Sequence, residues 1–249
     1  MVRWRIEPSV EGRLRAGEDA FGNLVHSFAA DEPVTDLRIA VSGELEMSDA
    51  GGLVRGAVER APDEYYLRDT DLTAPDGALR ALADGIGASE TDPLSRLHGL
   101  LGAVHDEVRF DIAPTDATTT AAQAYAMKRG VCQDLTHIFL AAARQLGVPA
   151  RYVSGYFLRN DGVVEQEAGH AWAEAKVPGL GWVGFDPANG ISVTAAHVRV
   201  AVGLDYHGAA PIRGSRRGGG REAMSVRVRV DRDQPSGPRS RQSQSQRQG

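Results

Sequence analysis

The chain has 249 residues, of which 42% are hydrophobic and 24% are charged, values typical of a soluble globular protein with one large domain or two modest ones. Its formal net charge of −5 disfavours a nucleic-acid-binding protein, which would usually carry a basic face. No apolar run approaches the roughly 18 to 20 residues that span a membrane, and MVRWRIEPSVEGR lacks the apolar centre of a signal peptide, so we predict a cytoplasmic protein without a membrane partner.

The first 58 residues are predicted to form a β-rich region, because they contain short runs in which apolar and polar residues alternate. In DLRIAVSGELEM, the residues Leu37, Ile39 and Val41 would share one strand face. The stretch DAFGNLV holds an aspartate and a Gly-Asn pair, which suit a turn between two strands.

From about residue 60 the pattern becomes helical. APDGALRALADG predicts a short helix that begins after Pro75 and Asp76 and ends at a glycine. SETDPLSRLHGLLGAVHDEVRF predicts a longer helix, with Asp92 as the N-cap and Pro93 at the first helical position. TTTAAQAYAMKRG predicts a third helix, which begins at a threonine cap and ends at Gly130.

The only cysteine of the chain, Cys132, stands at the start of a fourth predicted helix. It begins the apolar stripe that continues through Leu135 and Phe139. A helix N-terminus carries partial positive charge, which favours the thiolate form of a cysteine. Free cysteines are also among the most buried residues of proteins, so this pattern alone leaves inert packing open. A single cysteine without metal-ligand spacing forms neither an internal disulfide nor a zinc site, and we expect no cofactor and no metal.

Strand-like runs follow the fourth helix: ARYVSGYFL, HAWAEAKV and GWVGFDP. By alternation, His170 and Trp172 share one face of the second run, and Trp182 and Asp186 share one face of the third. A hairpin symmetric about Pro178 would place His170 directly opposite Asp186. Each run therefore offers one ionisable candidate beside a tryptophan.

Cys132, His170 and Asp186 together match the requirements of nucleophilic catalysis by a thiol. Such a site needs a thiolate, an imidazole that takes and returns protons, and a carboxylate that orients the imidazole. Each residue alone has an ordinary structural explanation, since a strand histidine is more often structural and an aspartate before proline can cap a turn. Their joint occurrence in this order favours a catalytic site.

Three long strings resemble bacterial members of the transglutaminase-like superfamily: RGVCQDLTHIFLAAARQLGVPARYVSGYF, GHAWAEAKVPGLGWVGFDPANG and VGLDYHGAAPIRG. The resemblance runs from about residue 90 to 230, and WRIEP and DAFGNLV resemble the β-domain that precedes the core in those proteins. It implies an α+β fold, in which a papain-like transglutaminase core follows a small β-rich domain. In that core, a helix bearing the cysteine packs on an antiparallel sheet bearing the histidine and the aspartate. The resemblance also implies Cys132 as nucleophile, His170 as general base and acid, and Asp186 as the group that orients His170.

Two departures from the family pattern stand out. Leu204 occupies the position of an expected arginine in the VGLDY string. The chain also enters the β-domain partway, because relatives carry a strand or two before the equivalent of Trp4. We expect either an upstream start or a shorter version of the domain, whose unpaired edge could associate with another chain.

Other residues are assigned supporting places in the site. Trp172 and Trp182 are predicted to wall the site and exclude water, and Gln133 and Asp134 are assigned as support beside the cysteine, with the role of Asp134 left open. His137 is predicted to be a structural hydrogen-bonding residue. The Cys132 backbone N–H is a natural oxyanion donor, and the second donor is not identified from the sequence.

We divide the chain into a β-rich region at 1–58, a transglutaminase-like core at 59–230 and a disordered tail at 231–249. AMSVRVRV predicts a closing strand near the end of the core, after a sharp turn at 218–220. The tail is rich in Ser, Gln, Arg and Pro and has no apolar period.

The predicted function is acyl transfer from an amide or peptide, in a peptide or protein substrate, through a Cys132 thioester. Hydrolysis is favoured over transfer to an amine, which would make the protein a cysteine peptidase or amidase. Two alternatives stay open: a non-catalytic peptide-binding module on the same fold, and an acyl-CoA-dependent transferase that uses the same three residues.

Overall fold

The computed structural model describes residues 2–57, 59–214 and 223–232. It has the predicted α+β architecture, with helices packed on a curved antiparallel sheet and a β-rich region before them. The turn predicted at 218–220 and the tail beyond residue 232 lie outside the described residues. None of the helices in the described part of the chain is both long and apolar enough to cross a membrane.

The N-terminal region consists of two antiparallel strand pairs, β1 with β4 and β2 with β3. Their bounds are β1 (Arg3–Pro8), β2 (Gly12–Glu18), β3 (Leu24–Ala30) and β4 (Ile39–Glu44). The predicted turn joins β2 to β3, and there the Asp19 carboxylate accepts hydrogen bonds from the N–H groups of Phe21 and Asn23. Within the described ranges each of these strands has one hydrogen-bonded neighbour.

The three residues that were predicted to share one strand face do not all belong to β4. Leu37 lies before the strand, which begins at Ile39, and Leu37 and Val41 are both exposed. The alternating apolar residues of this strand therefore lie on a face that the described residues leave uncovered. The region is tied to the rest of the chain by Asn23, whose amide exchanges two 2.8 Å hydrogen bonds with the backbone of Val202.

Four helices precede or enter the core: α1 (Gly77–Ser89), α2 (Pro93–Glu107), α3 (Ala121–Met127) and α4 (Cys132–Gln145). Asp92 caps α2 by accepting from the Ser95 N–H at 2.8 Å, with Pro93 as first helical residue, as predicted. Thr120 caps α3. The predicted end of α1 at a glycine is wrong, because the helix continues past Gly85 and packs Ile86 against the core.

The central sheet has five strands in the order β11-β10-β9-β7-β12. Its strands are β7 (Ala150–Phe157), β9 (His170–Val177), β10 (Gly181–Asp186), β11 (Ile191–Ser192) and β12 (His197–Gly203). The described residues also form a 3₁₀ helix (Asp63–Leu67), three two-residue strands and a short α-helix: β5 (Arg109–Phe110), β6 (Arg129–Gly130), β8 (Glu165–Gln166) and α5 (Tyr206–Ala209). Of the predicted closing strand, only β13 (Val228–Arg229) forms, and it pairs with β8.

The register of the β9–β10 hairpin differs from the prediction by two residues. Val177 pairs with Gly181 and Ala173 with Phe185, so the hairpin is centred on Gly179 rather than on Pro178. The turn is closed by the Leu180 N–H, which donates to the Val177 carbonyl at 3.1 Å. By continuation, Asp186 stands opposite Trp172 and diagonal to His170.

Helix α4 packs against one face of the sheet and is almost wholly buried. Small residues line both sides of this contact, namely Ala141, Ala142 and Ala143 on the helix and Ala171, Ala173 and Ala175 on β9. Because alanine side chains are short, the helix can lie close to the strand that carries His170. This close packing places the start of α4 near the start of β9.

The other face of the sheet is concave and encloses its own cluster, in which Trp172 packs with Val153 and Val202. Beside it lies a buried ion network, with the Glu174 carboxylate 2.7 Å from Nε of both Arg151 and Arg199. The sheet must curve, because Asp186 of β10 and His197 of β12 hydrogen-bond although β9 and β7 lie between their strands. Flat strands at ordinary spacing would hold them more than about 14 Å apart.

Candidate active site

The half-buried thiol of Cys132 is presented by the first residue of α4. Asp134, whose role the sequence left open, fixes this helix start: its Oδ2 accepts from the Val131 N–H at 2.8 Å and from the Thr115 hydroxyl at 2.7 Å. The carboxyl group lies so close to Gly130 that a Cβ there would be 2.7 Å from it. The RGVCQD sequence therefore holds the cysteine on a rigid helix terminus.

Burial raises the pKa of Asp134, and the hydrogen bonds from Val131 and Thr115 oppose that shift. The other carboxylate oxygen, Oδ1, is buried and has no hydrogen-bond partner among the described residues. Asp134 thus acts on the backbone before the cysteine. Gln133, the other predicted support, is directed outward, and its Nε2 donates to the Asp116 carbonyl at 3.5 Å.

His170 lies between the thiol and the carboxylate. Its Nε2 is 2.6 Å from Oδ2 of Asp186, which leaves Nδ1 as the nitrogen available to the Cys132 thiol. Burial lowers the pKa of His170, but the hydrogen bonds with Asp186 and Cys132 outweigh burial and raise the pKa to about 10. The arrangement favours the protonated, imidazolium form of His170.

Asp186 is fully buried and receives five hydrogen bonds. Oδ1 accepts from the N–H groups of Ala188 and Asn189, at 3.1 and 3.2 Å. Oδ2 contacts His170, His197 at 3.0 Å and the Asn189 side chain at 2.6 Å. Burial alone would raise the pKa of Asp186, but the hydrogen bonds from His170, His197 and Asn189 hold it well below its usual range. The carboxylate is therefore ionised at neutral pH.

Sequence reasoning missed His197 and Asn189. His197 begins the strand-like run HVRVAVG just as His170 begins HAWAEAKV, and this parallel was the available signal. The strand order that brings β12 to the site cannot be read from alternation. Asn189 lies in the turn after Asp186 and offered no distinct pattern.

Three ligand atoms, one each from His170, Asp186 and His197, lie within 4.8 Å of one another, a spacing that could hold a metal ion. In the structure, however, the same nitrogen and oxygen atoms hydrogen-bond with each other. The arrangement is complete as a hydrogen-bond network. Our expectation that the protein uses no metal or cofactor stays a prediction.

The structure brings one of the two predicted tryptophans to the site. The ring of Trp172 lies 5.2 Å from that of His197 and 6.1 Å from that of His170, and it is buried beneath them. Trp182 lies at the far end of β10, where its ring contacts Tyr66 at 5.0 Å and the Arg151 guanidinium at 3.9 Å. Trp182 thus supports the buried ion network and does not wall the site.

His137 makes a structural hydrogen bond, as predicted: its Nε2 accepts from the Tyr206 N–H at 3.1 Å. Leu204, where the family pattern led us to expect an arginine, contacts helix α4 through its backbone. Its carbonyl accepts from the buried guanidinium of Arg144 at 2.6 Å, which ties the VGLDY string to α4. The leucine side chain is not needed for this contact.

Comparison with known proteins identifies the core. Residues 80–187 match the family model of the transglutaminase-like superfamily. An uncharacterized protein of Mycobacterium leprae, ML0607, is 29% identical over 92% of this chain and 85% of its own length. An uncharacterized protein of Mycobacterium tuberculosis, Rv2569c, is 26% identical over 85% of this chain and 74% of its own length.

A solved structure from Cytophaga hutchinsonii, provisionally assigned as a cysteine protease, shares the fold. It superposes with a TM-score of 0.68 and 19% sequence identity, and the match covers 93% of this chain and 80% of that one. The family match spans Cys132, His170 and Asp186. Residues 80–187 of this chain therefore match the core domain of the transglutaminase-like superfamily.

Proposed function

We propose that this protein is a thiol enzyme that cleaves or transfers the acyl group of an amide through a Cys132 thioester, with hydrolysis as its main outcome. The substrate we propose is a peptide or protein carboxamide. One arrangement carries the proposal: a partly accessible thiol at a helix N-terminus, a histidine whose pKa is raised by that cysteine and by Asp186, and a buried carboxylate hydrogen-bonded to Nε2 of the histidine.

The chemistry follows from the positions of these groups. The Cys132 thiolate attacks the carbonyl carbon, and the negative charge moves to the carbonyl oxygen. The Cys132 N–H, at the start of α4, is the natural donor to that oxygen. When the tetrahedral intermediate collapses, the C–N bond breaks and His170 gives its Nδ1 proton to the departing amine.

The thioester is then resolved by a nucleophile. His170, now neutral, takes a proton from water as the water attacks, and the thiolate leaves with its electron pair. An amine in place of water would give transamidation with the same proton movements. Asp186 keeps His170 in the tautomer and orientation that both halves need.

The direct test is trapping of the acyl-enzyme. We would incubate the protein with peptide anilides and with glutamine-containing peptides, and measure the intact mass and the released amine. We expect an adduct on Cys132 and amine release in the parent. Cys132→Ala should abolish both while retaining the fold by circular dichroism.

The same experiment separates the alternatives. Adding a primary amine distinguishes transfer from hydrolysis by the mass of the product. Adducts formed from acyl-CoA donors but from no amide would contradict the proposal and favour an acyl-CoA-dependent transferase. Peptide binding without adduct or turnover, equal in parent and Cys132→Ala, would favour the non-catalytic binding module.

A further inference from the structure

We infer that His197 is a positioning residue that holds the Asp186 carboxylate toward His170 from a separate strand, and this inference rests on the proposed function. The ring nitrogens of His197 hydrogen-bond with Thr194 and Asp186. The effect of His197 on the chemistry would pass through Asp186.

The first support is the tautomer of His197. Its side chain is completely buried, and its Nδ1 accepts from the Thr194 N–H at 3.1 Å. A nitrogen that accepts from a backbone amide carries no proton, so the proton of the neutral ring is on Nε2. Nε2 lies 3.0 Å from Oδ2 of Asp186 and therefore donates to it. The Thr194 backbone thus fixes His197 as a hydrogen-bond donor to the carboxylate.

The second support is where the other donors come from. Ala188 and Asn189 follow Asp186 within three residues, so they belong to the same turn and move with it. They orient the carboxylate within its own turn. His197 belongs to β12 and is the one donor, besides His170 itself, that binds Asp186 from a different strand of the described sheet.

The third support is the ladder that links the two histidines. His197 pairs with Phe157 on β7, and two residues earlier Gly155 pairs with His170 on β9. The Phe157 ring packs against both imidazoles, with its centroid 4.7 Å from that of His197 and 5.2 Å from that of His170. The strand β7 therefore sets the spacing between the two groups that meet at Asp186.

Few groups around His197 could take its place as a hydrogen-bond donor to Asp186. The ionisable groups that face it are Asp186 from β10 and His170 from β9. The rings of Phe157 and Trp172 cover it from β7 and β9. The Asn189 side chain also donates to Oδ2, at 2.6 Å, but from the turn that carries Asp186. Loss of the His197 Nε2 donor would therefore remove the restraint that comes from outside this turn and weaken the bond between Asp186 and His170.

The test uses two variants and a control. His197→Gln keeps an N–H donor near the position of Nε2, whereas His197→Phe keeps a ring but has no donor. His137→Phe is the matched control, since His137 is also a buried histidine but bonds to the Tyr206 backbone. The readouts are the ¹⁵N spectrum of the histidine rings, the titration midpoint of His170 by NMR, and kcat/KM on the best amide substrate.

In the parent we expect His197 to show the neutral Nε2–H tautomer. In His197→Phe we expect the His170 midpoint to move toward its ordinary value and kcat/KM to fall about tenfold to a hundredfold, the worth of one hydrogen bond to a charged group. His197→Gln should restore most of the parental His170 midpoint and most of the parental kcat/KM. His137→Phe should leave the His170 midpoint unchanged.

Two results would overturn the inference: a His197 ring in the Nδ1–H tautomer, or a His170 midpoint in His197→Phe equal to that of the parent. If the Phe variant does not fold, the tautomer in the unmodified protein still decides. A protein with no amide turnover but a shifted His170 midpoint would contradict the proposed function and leave the positioning role of His197 intact.

Discussion

His170 and Asp186 are joined diagonally across the β9–β10 hairpin, with 2.6 Å between Nε2 and Oδ2. Diagonal positions on paired strands are about 7–8 Å apart, a span that the two side chains bridge between them. A hydrogen bond between diagonal residues depends more on the direction of the carboxylate than a bond between directly opposed residues does. The dense hydrogen bonding of Asp186 supplies that direction.

Replacing Asp186 by asparagine should lower the pKa of His170. The variant keeps the side-chain size but removes the charge that supports the imidazolium. We expect the His170 midpoint to fall toward about 6.5 and amide turnover to drop about a hundredfold or more. NMR titration and steady-state kinetics measure these effects. Asp161→Asn, at an exposed aspartate paired with Arg159, should change neither. An unshifted His170 midpoint in Asp186→Asn would refute the coupling.

The buried ion network should contribute strongly to stability. Glu174 is 1% exposed and lies between Arg151, itself 2% exposed, and Arg199. Glu174→Gln leaves the buried Arg151 guanidinium with Glu59, 2.8 Å away, as its remaining carboxylate partner among the described residues. We expect a loss of about 3 kcal/mol in the free energy of unfolding, the lower end of the range for breaking a buried ion pair. Urea denaturation measures it. Glu165→Gln, at the exposed ion pair with Arg229, is the control and should have no measurable effect. Equal stability of the two variants would show that the network is dispensable.

Gly155 should tolerate no side chain. A Cβ at this position would lie 2.0 Å from the Val198 carbonyl oxygen and 2.7 Å from the Trp172 ring, so β7 and β12 would have to separate. We expect Gly155→Ala to cost about 3 kcal/mol, the upper end for overpacking, because backbone atoms must move. In contrast, Gly102→Ala in α2 meets nothing within 4 Å and should stabilise by about 0.5–1 kcal/mol. Thermal unfolding distinguishes the two, and a Gly155→Ala protein with the parent's melting temperature would contradict the packing.

His137 should make the protein sensitive to mild acid. Burial lowers the pKa of His137 to about 3, against an ordinary value near 6.5. Between these pH values the unfolded chain binds a proton that the folded chain does not, so stability falls as the pH drops, by at most about 1.4 kcal/mol per pH unit. Urea denaturation from pH 7 to pH 4 should show a shallower decline in His137→Gln than in the parent. His98→Gln, at an exposed histidine, should keep the parental slope, and equal slopes in all three proteins would rule out this role.

Local patterns predicted most elements of the core. Asp92, Pro93 and Thr120 act at helix starts as expected, because capping depends on neighbours within one helical turn. The helix that begins at Cys132 was also predicted, since its apolar stripe and its terminal glycine are local signals. The three residues proposed for catalysis were found from their order, and the fold brings them together.

Non-local features were harder to predict. The hairpin register was wrong because the centre of the turn depends on the Val177–Leu180 hydrogen bond rather than on the position of the proline. The contribution of His197 requires knowing that β12 pairs with β7 and that the sheet curves back to β10, which no alternation encodes. Trp182 shares a strand face with Asp186, but it stands four residues away along β10, too far to reach the site.

The most direct test of the account is the rate at which iodoacetamide labels the single thiol, measured against pH in the parent, His170→Ala and Asp186→Asn. A thiolate–imidazolium pair predicts fast labelling of the parent well below pH 8 and slower labelling once His170 is removed. Labelling of all three proteins only above about pH 8, as for an ordinary thiol, would contradict it. Cys132 would then be a packing residue.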